Sequence, residues 1–170
     1  MVKPLLRRFG DLVVFLYFIT HIPITILIDS QVLLRKSITY HPAISSVFDD
    51  YSVNFQDKLV TNAPLWFQVF TLCELILQLP FFPVAAYAYY KGKNWIRIPA
   101  IVYGVHVVTT LIPILSTQFF DPEYRPTSNI VLLGLSAIYS IYFFIPFYIV
   151  VTNVLYEKPF GDELVKKKKQ

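Results

Sequence analysis

Four long apolar segments determine what this chain can fold into. They cover residues 12–28, 65–90, 98–120 and 130–156, and Glu74 is their only Asp, Glu, Lys or Arg side chain. Each has roughly the 17 to 25 residues that a helix needs to cross the hydrocarbon core of a bilayer. The segments therefore predict an all-α membrane protein built as a bundle of four transmembrane helices.

Composition agrees with lipid as the surrounding solvent. Only 15% of the residues are charged and the mean hydropathy is +0.53, whereas soluble domains carry about 25% charge. A soluble bundle would have too little polar surface. A cleaved signal peptide is a poor alternative for the first segment, because its apolar stretch is long and no small-x-small cleavage site follows. We predict one transmembrane domain over residues 1–170.

The distribution of Lys and Arg predicts the topology. Eleven of the fifteen lie in the two tails and in the short loop 91–97, and four lie in the loops 29–64 and 121–129. The positive-inside rule then places both termini in the cytosol, with residues 157–170 as a basic cytosolic tail. The loop 29–64 faces the lumen or exterior, and its aromatic and β-branched residues predict that part of it packs over the bundle.

Interior prolines predict that the four helices are kinked. A proline lacks a backbone donor and frees a carbonyl, which a membrane helix tolerates where neighbouring groups bind that carbonyl. The kinks are either ordinary bends or bends that open a cavity between the helices, and the two interpretations are compatible. The prolines are Pro23, Pro80, Pro83, Pro113 and Pro146.

Glu74 is the main functional candidate, because an ionisable residue inside a membrane is costly unless it faces protein. Gln78 follows at i+4, so both project from one helix face. Three aromatic residues share that face: Phe67, Phe70 and Phe81. The face therefore predicts an aromatic wall with two polar groups at its centre, although a structural hydrogen bond between helices also explains Glu74.

The other three spans offer polar partners for this wall. Tyr103, His106 and Thr110 recur at helical spacing in the third span, and the fourth contains Tyr139 and Tyr142. In the first span, Asp29 follows His21 by a little more than two turns, so the two lie roughly on one side. These residues predict a pocket, while Asp29 is also explained as a boundary residue in water and the histidines and tyrosines as packing residues.

If Asp29 and Glu74 meet, they will not both be ionised, because burial and a nearby like charge each disfavour the charged form. We expect Glu74, deeper in its span, to keep the proton and donate to an anionic Asp29. One negative charge at the wall of an apolar cavity favours a greasy molecule with a cationic amine, or a hydroxyl on a lipid-shaped body. Aromatic faces add about 0.5 to 2 kcal/mol of cation–π attraction.

The polar residues and their apolar context together resemble the emopamil-binding-protein (EXPERA) superfamily. The matching segments are YFITHIPITILID (17–29), LWFQVFTLCELILQLPFFPVAAYAY (65–89), KNWIRIPAIVYGVHVVTTLIPILST (93–117) and YSIYFFIPF (139–147). They cover all four spans. The resemblance implies a receptor-like membrane protein of the endoplasmic reticulum that binds sterols and cationic amphiphilic drugs, forms a homodimer and contributes to cholesterol homeostasis.

The resemblance also implies roles for single residues. Asp29 would pair with the ligand amine, Glu74 would support Asp29, and Asp57 matches another acidic position implicated in ligand binding. The family has leucine at the position of Thr71, which implies a different ligand preference here. The implied pocket lining is Phe55, Phe67, Phe70, Tyr103, Thr110, Tyr139 and Tyr142, to which the sequence adds Gln78 and His106.

The implied partners are a sterol or cationic amphiphile, membrane lipid, a second copy of the chain and a cholesterol transporter of the Niemann–Pick C type. We expect no nucleic acid, no cofactor and no metal ligands, and the single Cys73 excludes an internal disulfide. Lys167 and Lys168 fit a dilysine retrieval signal on a cytosolic tail. A basic run that touches anionic lipid explains the same residues.

Two function classes remain open, and we favour a binding protein over an enzyme. The alternative is a sterol double-bond isomerase, which needs one group to protonate a carbon and another to remove a proton. Asp29, Glu74 and His106 supply such groups, but the matching residues follow the receptor-like branch of the family. A transporter has little support, because four spans without inverted repeats are not typical of that class.

Overall fold

Four helical spans form the bundle, as predicted. The computed structural model of the chain describes residues 4–161, and all regular structure within that range is helical. The spans are Phe9–Leu34, Leu65–Lys91, Asn94–Phe120 and Asn129–Leu155. Only 17% to 33% of the most apolar window of each span is buried inside the protein. The remaining apolar surface faces outward, as it does where lipid is the solvent.

Residues 4–161 contain eight α-helices and several shorter helical turns. In chain order the α-helices are α1 (Phe9–Ile24), α2 (Gln31–Leu34), α3 (Pro42–Phe55), α4 (Lys58–Asn62), α5 (Leu65–Cys73), α6 (Leu79–Lys91), α7 (Arg97–Phe120) and α8 (Asn129–Leu155). Short 3₁₀ turns, Leu5–Arg7 and Asn94–Ile96, precede α1 and α7.

Two π-helical segments interrupt the first and second spans. Thr25–Asp29 follows α1, and Glu74–Gln78 joins α5 to α6. Pro80 has no N–H to donate to the carbonyl of Ile76 four residues earlier, so a regular α-helix cannot continue unchanged there. π-helical turns are rare and frequently mark functional sites. Asp29 and Glu74, the two predicted site carboxyls of the bundle, each lie within one of them.

The spans pack as two antiparallel pairs, α1 with α6 and α7 with α8. Aromatic rings join the two pairs: the buried Phe18 of α1 contacts Phe82 of α6 and Tyr103 of α7 at centroid distances of 5.9 and 5.2 Å. In the second pair, Gly104 permits a close approach of α7 to α8. A Cβ atom at that position would lie 2.8 Å from the carbonyl oxygen of Pro146.

The segment between the first two spans packs over one end of the bundle, as predicted. Its main elements are α3, which begins with Pro42, and α4, whose N-cap is Asp57. Lys58 donates to the carbonyl of Glu123 at 2.8 Å, and Gln56 accepts from the backbone N–H of Thr127 at 2.9 Å. These bonds join the covering helices to the loop between α7 and α8.

The described residues next to both termini are held at the opposite end. Arg8 forms an ion pair with Asp11 at 2.6 Å and donates to the carbonyl of Tyr89 at 2.9 Å. Phe160 packs against the ring of Tyr89 and donates its backbone N–H to Asn94 at 3.1 Å. The described parts of the two terminal segments therefore lie on the same side of the bundle as the loop 91–97, as an even number of spans requires. The predicted retrieval residues 167 and 168 lie outside the described residues.

Candidate functional site

A cavity of about 330 Å³ lies inside the bundle beneath α3 and α4. Its walls come from all four spans and from the covering helices. The lining residues are His21, Ile24, Ile28, Asp29, Val32, Val47, Phe48, Tyr51, Val60, Phe67, Phe70, Thr71, Glu74, Gln78, Val107, Thr110, Leu111, Ile114, Ile138, Tyr139 and Tyr142. The volume falls within the range of about 300 to 1,000 Å³ that is typical of small-molecule sites.

Two carboxyls and an imidazole meet at one wall of this cavity. His21, Asp29 and Glu74 each place a nitrogen or oxygen atom within 4.8 Å of the others. The Nε2 atom of His21 lies 3.2 Å from Oε1 of Glu74. The hydroxyl of Thr25 donates to the same Glu74 oxygen at 2.9 Å. The structure therefore brings together the two acids that the sequence placed on separate spans.

The local sequence explains why these side chains converge. His21, Thr25 and Asp29 recur every four residues, so they project from one side of the first span. Glu74 opens the π-helical segment of the second span, where the wider turn faces the corresponding segment of the first. The two interruptions of the α-helix thus lie side by side and carry the acids toward one another.

Aromatic rings fix the imidazole of His21. Phe82 stacks on it with a centroid distance of 4.6 Å and an angle of 17°, and Tyr142 packs against it at 4.8 Å. Only 6% of His21 is exposed. Its Nδ1 atom has no hydrogen-bond partner among residues 4–161, so stacking rather than a second hydrogen bond holds the ring.

Within the part of the chain that the structure describes, no Lys or Arg of the lining balances the charge of the acidic pair, and the basic side chain that contacts the pair is the imidazole of His21. Two ionised carboxylates in an apolar wall are very costly unless they are paired or neutralised. The pair of Asp29 and Glu74 must therefore hold a proton, bind a cation, or do both.

The rest of the cavity is largely apolar and aromatic. Its aromatic lining includes Phe67 and Phe70 from α5 and Tyr139 and Tyr142 from α8. Thr71 lines the cavity, but its hydroxyl donates its hydrogen bond to the carbonyl of Phe67 at 3.1 Å. Gln78 and Thr110 also line the cavity, as the sequence predicted. The arrangement suits a hydrophobic molecule that carries one polar or cationic group.

Four residues predicted for the pocket do not line this cavity. Phe55 packs against the ring of Tyr51 at a centroid distance of 5.3 Å and an angle of 37°, and it is not part of the cavity lining. Tyr103 is buried and forms a hydrogen bond with the hydroxyl of Tyr17 at 2.8 Å.

His106 is the third predicted pocket residue that does not line the cavity. Its Nδ1 atom lies 3.2 Å from Nε2 of Gln78. His106 therefore contacts a lining residue from behind. Its role in the structure is to orient the Gln78 amide, which itself faces the cavity.

Asp57 is the fourth of these residues, and it supports the cavity from outside. It is 1% exposed and accepts hydrogen bonds from the hydroxyls of Tyr51 and Tyr139, both at 2.8 Å. Burial raises the pKa of Asp57, while these two hydroxyls and the N–H groups of Leu59 and Val60 lower it. Burial also raises the pKa of Tyr51, and the adjacent charge of Asp57 raises it further. Both tyrosines line the cavity, so Asp57 positions two wall residues.

Sequence reasoning missed several residues of the site. Thr25, which donates to Glu74 but does not line the cavity, was detectable, since it lies one turn before Asp29 on the side of the helix where the sequence already placed His21. Phe48 and Tyr51 share a face of α3, where a spacing of three residues indicates the buried side of a short amphipathic helix. Nothing in the sequence alone indicated that this face of α3 covers the bundle above Asp29.

The spans and the cavity define a class of protein: a multi-pass helical membrane protein with an acidic, ligand-sized pocket enclosed in its bundle. Comparison with known proteins identifies the group within this class. The sequence profile of EXPERA, the EXPanded EBP superfamily, matches residues 43–153. The chain belongs to the EXPERA superfamily, which confirms the resemblance found in its four apolar segments.

Full-length relatives carry receptor names. The chain is 39% identical to the Sigma intracellular receptor 2 of Homo sapiens over the whole length of both chains. It is 42% identical to the protein of the same name from Xenopus tropicalis, over 95% of this chain and 97% of that one. These names agree with the interpretation of the chain as a receptor-like membrane protein.

A third relative is similar over a shorter region. The Efficient mitochondria targeting-associated protein 19 of Saccharomyces cerevisiae is 39% identical over 79 residues, which is 46% of this chain and 45% of that protein. Its name refers to mitochondrial targeting, so the names of the relatives do not all point to one function.

Proposed function

We propose that this chain is an intracellular receptor-like membrane protein that binds sterols and cationic amphiphilic molecules in the cavity of its bundle. One observation carries the proposal: Asp29 and Glu74 converge at the wall of an apolar cavity whose described lining contains no Lys or Arg. A ligand with a hydrophobic body and one cationic amine complements both features. The receptor names of the full-length relatives support the same function.

The two acids have different roles in this proposal. Asp29 is the anion that pairs with the ligand ammonium, and Glu74 keeps a proton and donates it in a hydrogen bond to Asp29. The hydroxyl of Thr25, 2.9 Å from Glu74, holds that side chain in place. A protonated Glu74, an anionic Asp29 and a bound ammonium together are neutral, which is the state that an apolar cavity favours.

The aromatic wall contributes shape and cation–π attraction. Phe70 and Tyr142 line the same cavity as the acids, and each aromatic face near the ammonium adds about 0.5 to 2 kcal/mol. A neutral sterol uses the same cavity differently: its ring system fills the apolar part and its hydroxyl forms a hydrogen bond with the acidic pair. Binding of both ligand classes at one site makes them competitors.

The cellular setting is part of the proposal. We place the protein in the endoplasmic reticulum as a multi-pass protein with both termini in the cytosol, because the basic residues concentrate in the tails and in loop 91–97. Lys167 and Lys168 serve as the retrieval signal. The protein acts as a homodimer in cholesterol homeostasis, with a cholesterol transporter of the Niemann–Pick C type as partner.

Replacement of Asp29 tests the proposal directly. The purified full chain in detergent is titrated with a radiolabelled cationic amphiphile, and Asp29→Asn is expected to lose at least a hundredfold in affinity because the ion pair is gone. Asp49→Asn is the matched control, since Asp49 is exposed on α3 and pairs with Arg35 at 2.6 Å. Equal affinity of wild type and Asp29→Asn would refute the ion pair.

A sterol double-bond isomerase is the second candidate, and one observation favours it. His21, Asp29 and Glu74 are three proton-exchanging groups that face one cavity, whereas His106 lies behind the wall. Isomerisation would require one of them to protonate a carbon of the sterol and another to remove a proton. Incubation of the purified chain with a Δ8-sterol decides the question: we expect no shift of the double bond, and turnover that Glu74→Gln abolishes would establish the enzyme instead.

A further inference from the structure

The imidazole nitrogen of His21 and the carboxylate oxygens of Asp29 and Glu74 are also atom types that bind metal ions. We propose that His21, Asp29 and Glu74 form a binding site for one divalent transition-metal cation of the zinc type, in competition with cationic amines. This inference goes beyond the proposed function, because metal binding requires neither a sterol nor an amphiphile. The sequence does not reveal such a site, because the three ligands come from two spans that are distant along the chain and the chain has one cysteine.

The geometry of the three donors fits one metal ion. Zn²⁺ binds imidazole nitrogen and carboxylate oxygen at about 2.0 to 2.2 Å, so two donors of one tetrahedral ion lie about 3.4 Å apart. Nε2 of His21 and Oε1 of Glu74 are 3.2 Å apart. All three residues offer a donor within 4.8 Å of the others. Binding of one ion requires the Asp29 oxygen to move from within 4.8 Å to about 3.4 Å of the other two donors.

Charge balance favours a dication as much as an amine. Two carboxylates with one divalent cation are neutral, and so are two carboxylates with one ammonium and one proton. The described lining supplies no Lys or Arg that would repel the metal or neutralise the acids. A metal ion therefore replaces both the ammonium and the shared proton, and its binding releases a proton from the pair.

The surroundings of the three ligands resemble those of a metal site with an open position. The hydroxyl of Thr25 donates to Glu74 at 2.9 Å and orients its carboxylate, as outer-shell partners of metal ligands do. Phe82 stacks on the imidazole of His21. The cavity lies on the remaining side, where water or a ligand atom completes a four-coordinate ion, as in zinc sites with three protein ligands.

The same surroundings predict moderate affinity and clear selectivity. The Nδ1 atom of His21 has no partner within residues 4–161, and loss of such an outer-shell hydrogen bond weakens metal binding by about 10- to 100-fold. Ca²⁺ takes six to eight oxygen ligands and Mg²⁺ an octahedron of oxygens. Three donors that include an imidazole nitrogen therefore favour Zn²⁺ and Co²⁺ over both.

Direct metal binding is the first test. The full chain, purified without a histidine tag and freed of metal, is titrated with Co²⁺ while its visible absorption is recorded, and Zn²⁺ is counted by equilibrium dialysis. We expect one ion per chain, a Co²⁺ spectrum that Zn²⁺ abolishes, and no displacement by Mg²⁺ or Ca²⁺. A chain that binds neither ion, or binds Mg²⁺ equally well, overturns the proposal.

Variants assign the ion to these ligands. His21→Gln and Glu74→Gln are each expected to weaken metal binding at least tenfold, and thermal unfolding confirms that each variant is folded. His41→Gln is the matched control, because His41 is exposed at the N-cap of α3 and does not line the cavity. Retention of the Co²⁺ spectrum in both folded ligand variants, or its loss in His41→Gln, places the ion elsewhere and overturns the assignment.

Competition with a cationic amphiphile completes the test and separates the two proposals. For one shared site, Zn²⁺ at ten times its dissociation constant raises the apparent dissociation constant of the amphiphile about elevenfold. A shift that saturates at a smaller value overturns the shared site. A chain that binds Co²⁺ but no amphiphile refutes the proposed function and leaves the metal site, whereas the reverse result refutes only the metal site.

Discussion

The hydroxyl of Tyr139 donates a hydrogen bond to the carboxylate of Asp57 at 2.8 Å, across 82 positions of the chain. Tyr51 donates to the same oxygen at 2.8 Å, and Asp57 also caps α4 by accepting from the N–H of Leu59 at 3.2 Å. One carboxyl thus joins α3, α4 and α8. Since both tyrosines line the cavity, Asp57 positions two residues of the cavity wall without lining it.

Removal of the Tyr139 hydroxyl is expected to destabilise the protein. In Tyr139→Phe, a buried carboxyl loses one of its donors, which costs about 1 to 3 kcal/mol in the free energy of unfolding. Thermal unfolding of the purified chain in detergent measures the effect. Tyr87→Phe removes a hydroxyl from a residue that is 54% exposed and serves as the control. A Tyr139→Phe protein as stable as the control would show that the hydrogen bond contributes nothing.

Asp57 also predicts a pH dependence of stability. Burial raises its pKa above the ordinary value, so the native state binds the proton more tightly than the unfolded state. The free energy of unfolding therefore falls as the pH rises from about 4 through the native pKa. In Asp57→Asn, which retains a good N-cap residue, this decline is absent. Melting temperatures measured between pH 4 and 7 test the difference in slope.

Asp49 provides a control of opposite sign for that experiment. The hydrogen bond and charge of Arg35 lower the pKa of Asp49. The pair therefore contributes stability above the ordinary pKa of Asp49, and the contribution disappears as the pH falls through its native pKa. Asp49→Asn should leave the Asp57-dependent decline in place. If Asp57→Asn and wild type have the same slope, the raised pKa of Asp57 is wrong.

Hydropathy alone predicted the bundle because lipid imposes length and polarity on every span. The meeting of Asp29 with Glu74 was also predictable. An acid in an apolar span is costly in free energy unless it faces protein, and this favours one site shared by both acids. The π-helical turns were not predictable. Each adds a residue to a helical turn, which rotates the later residues of the span by about 100° around the helix axis. Phe81, predicted on the face of Glu74, instead packs against Phe18 and Tyr103.

The third span shows a different limit of the same reasoning. Tyr103, His106 and Thr110 form one stripe of α7, and Val107, Thr110 and Leu111 form the neighbouring one. The sequence predicts that the polar stripe lines the pocket, because its side chains can form hydrogen bonds. The cavity is instead lined by the more apolar stripe. Periodicity defines the faces of a helix but does not tell which face a neighbouring span covers. That choice depends on packing between helices.

Close packing of α7 against α8 depends on Gly104. A Cβ atom there would lie 2.6 Å from Val150 and 2.8 Å from the carbonyl of Pro146, so the backbones must separate. Gly104→Ala is expected to lower the free energy of unfolding by about 1 to 3 kcal/mol, as measured by thermal unfolding in detergent.

Gly134 is the matched control for this substitution. Its added Cβ atom meets only the ring of Phe55 at 3.4 Å, and alanine is favoured over glycine within a helix by about 1 kcal/mol. Gly134→Ala should therefore be neutral or stabilising. Equal effects of the two substitutions would contradict the close contact at Gly104.

Thr71 predicts how the cavity selects ligands by size. It is 5% exposed, lies on the cavity wall beside Phe67 and Phe70, and its hydroxyl already donates to the backbone. Thr71→Leu adds a larger side chain to the wall without leaving a polar group that must find a new partner. Overpacking of this kind costs about 1 to 3 kcal/mol, which corresponds to roughly 5- to 150-fold in affinity.

We expect that loss for a cationic amphiphile with a bulky polycyclic body, while a slender alkylamine, which need not contact this wall, retains its affinity. Competition binding with both probes measures the difference, and Thr109→Leu, the same substitution at an exposed position of α7, leaves both affinities unchanged. An equal loss for both probes in Thr71→Leu would mean that the substitution acts on the fold rather than on the size of the cavity.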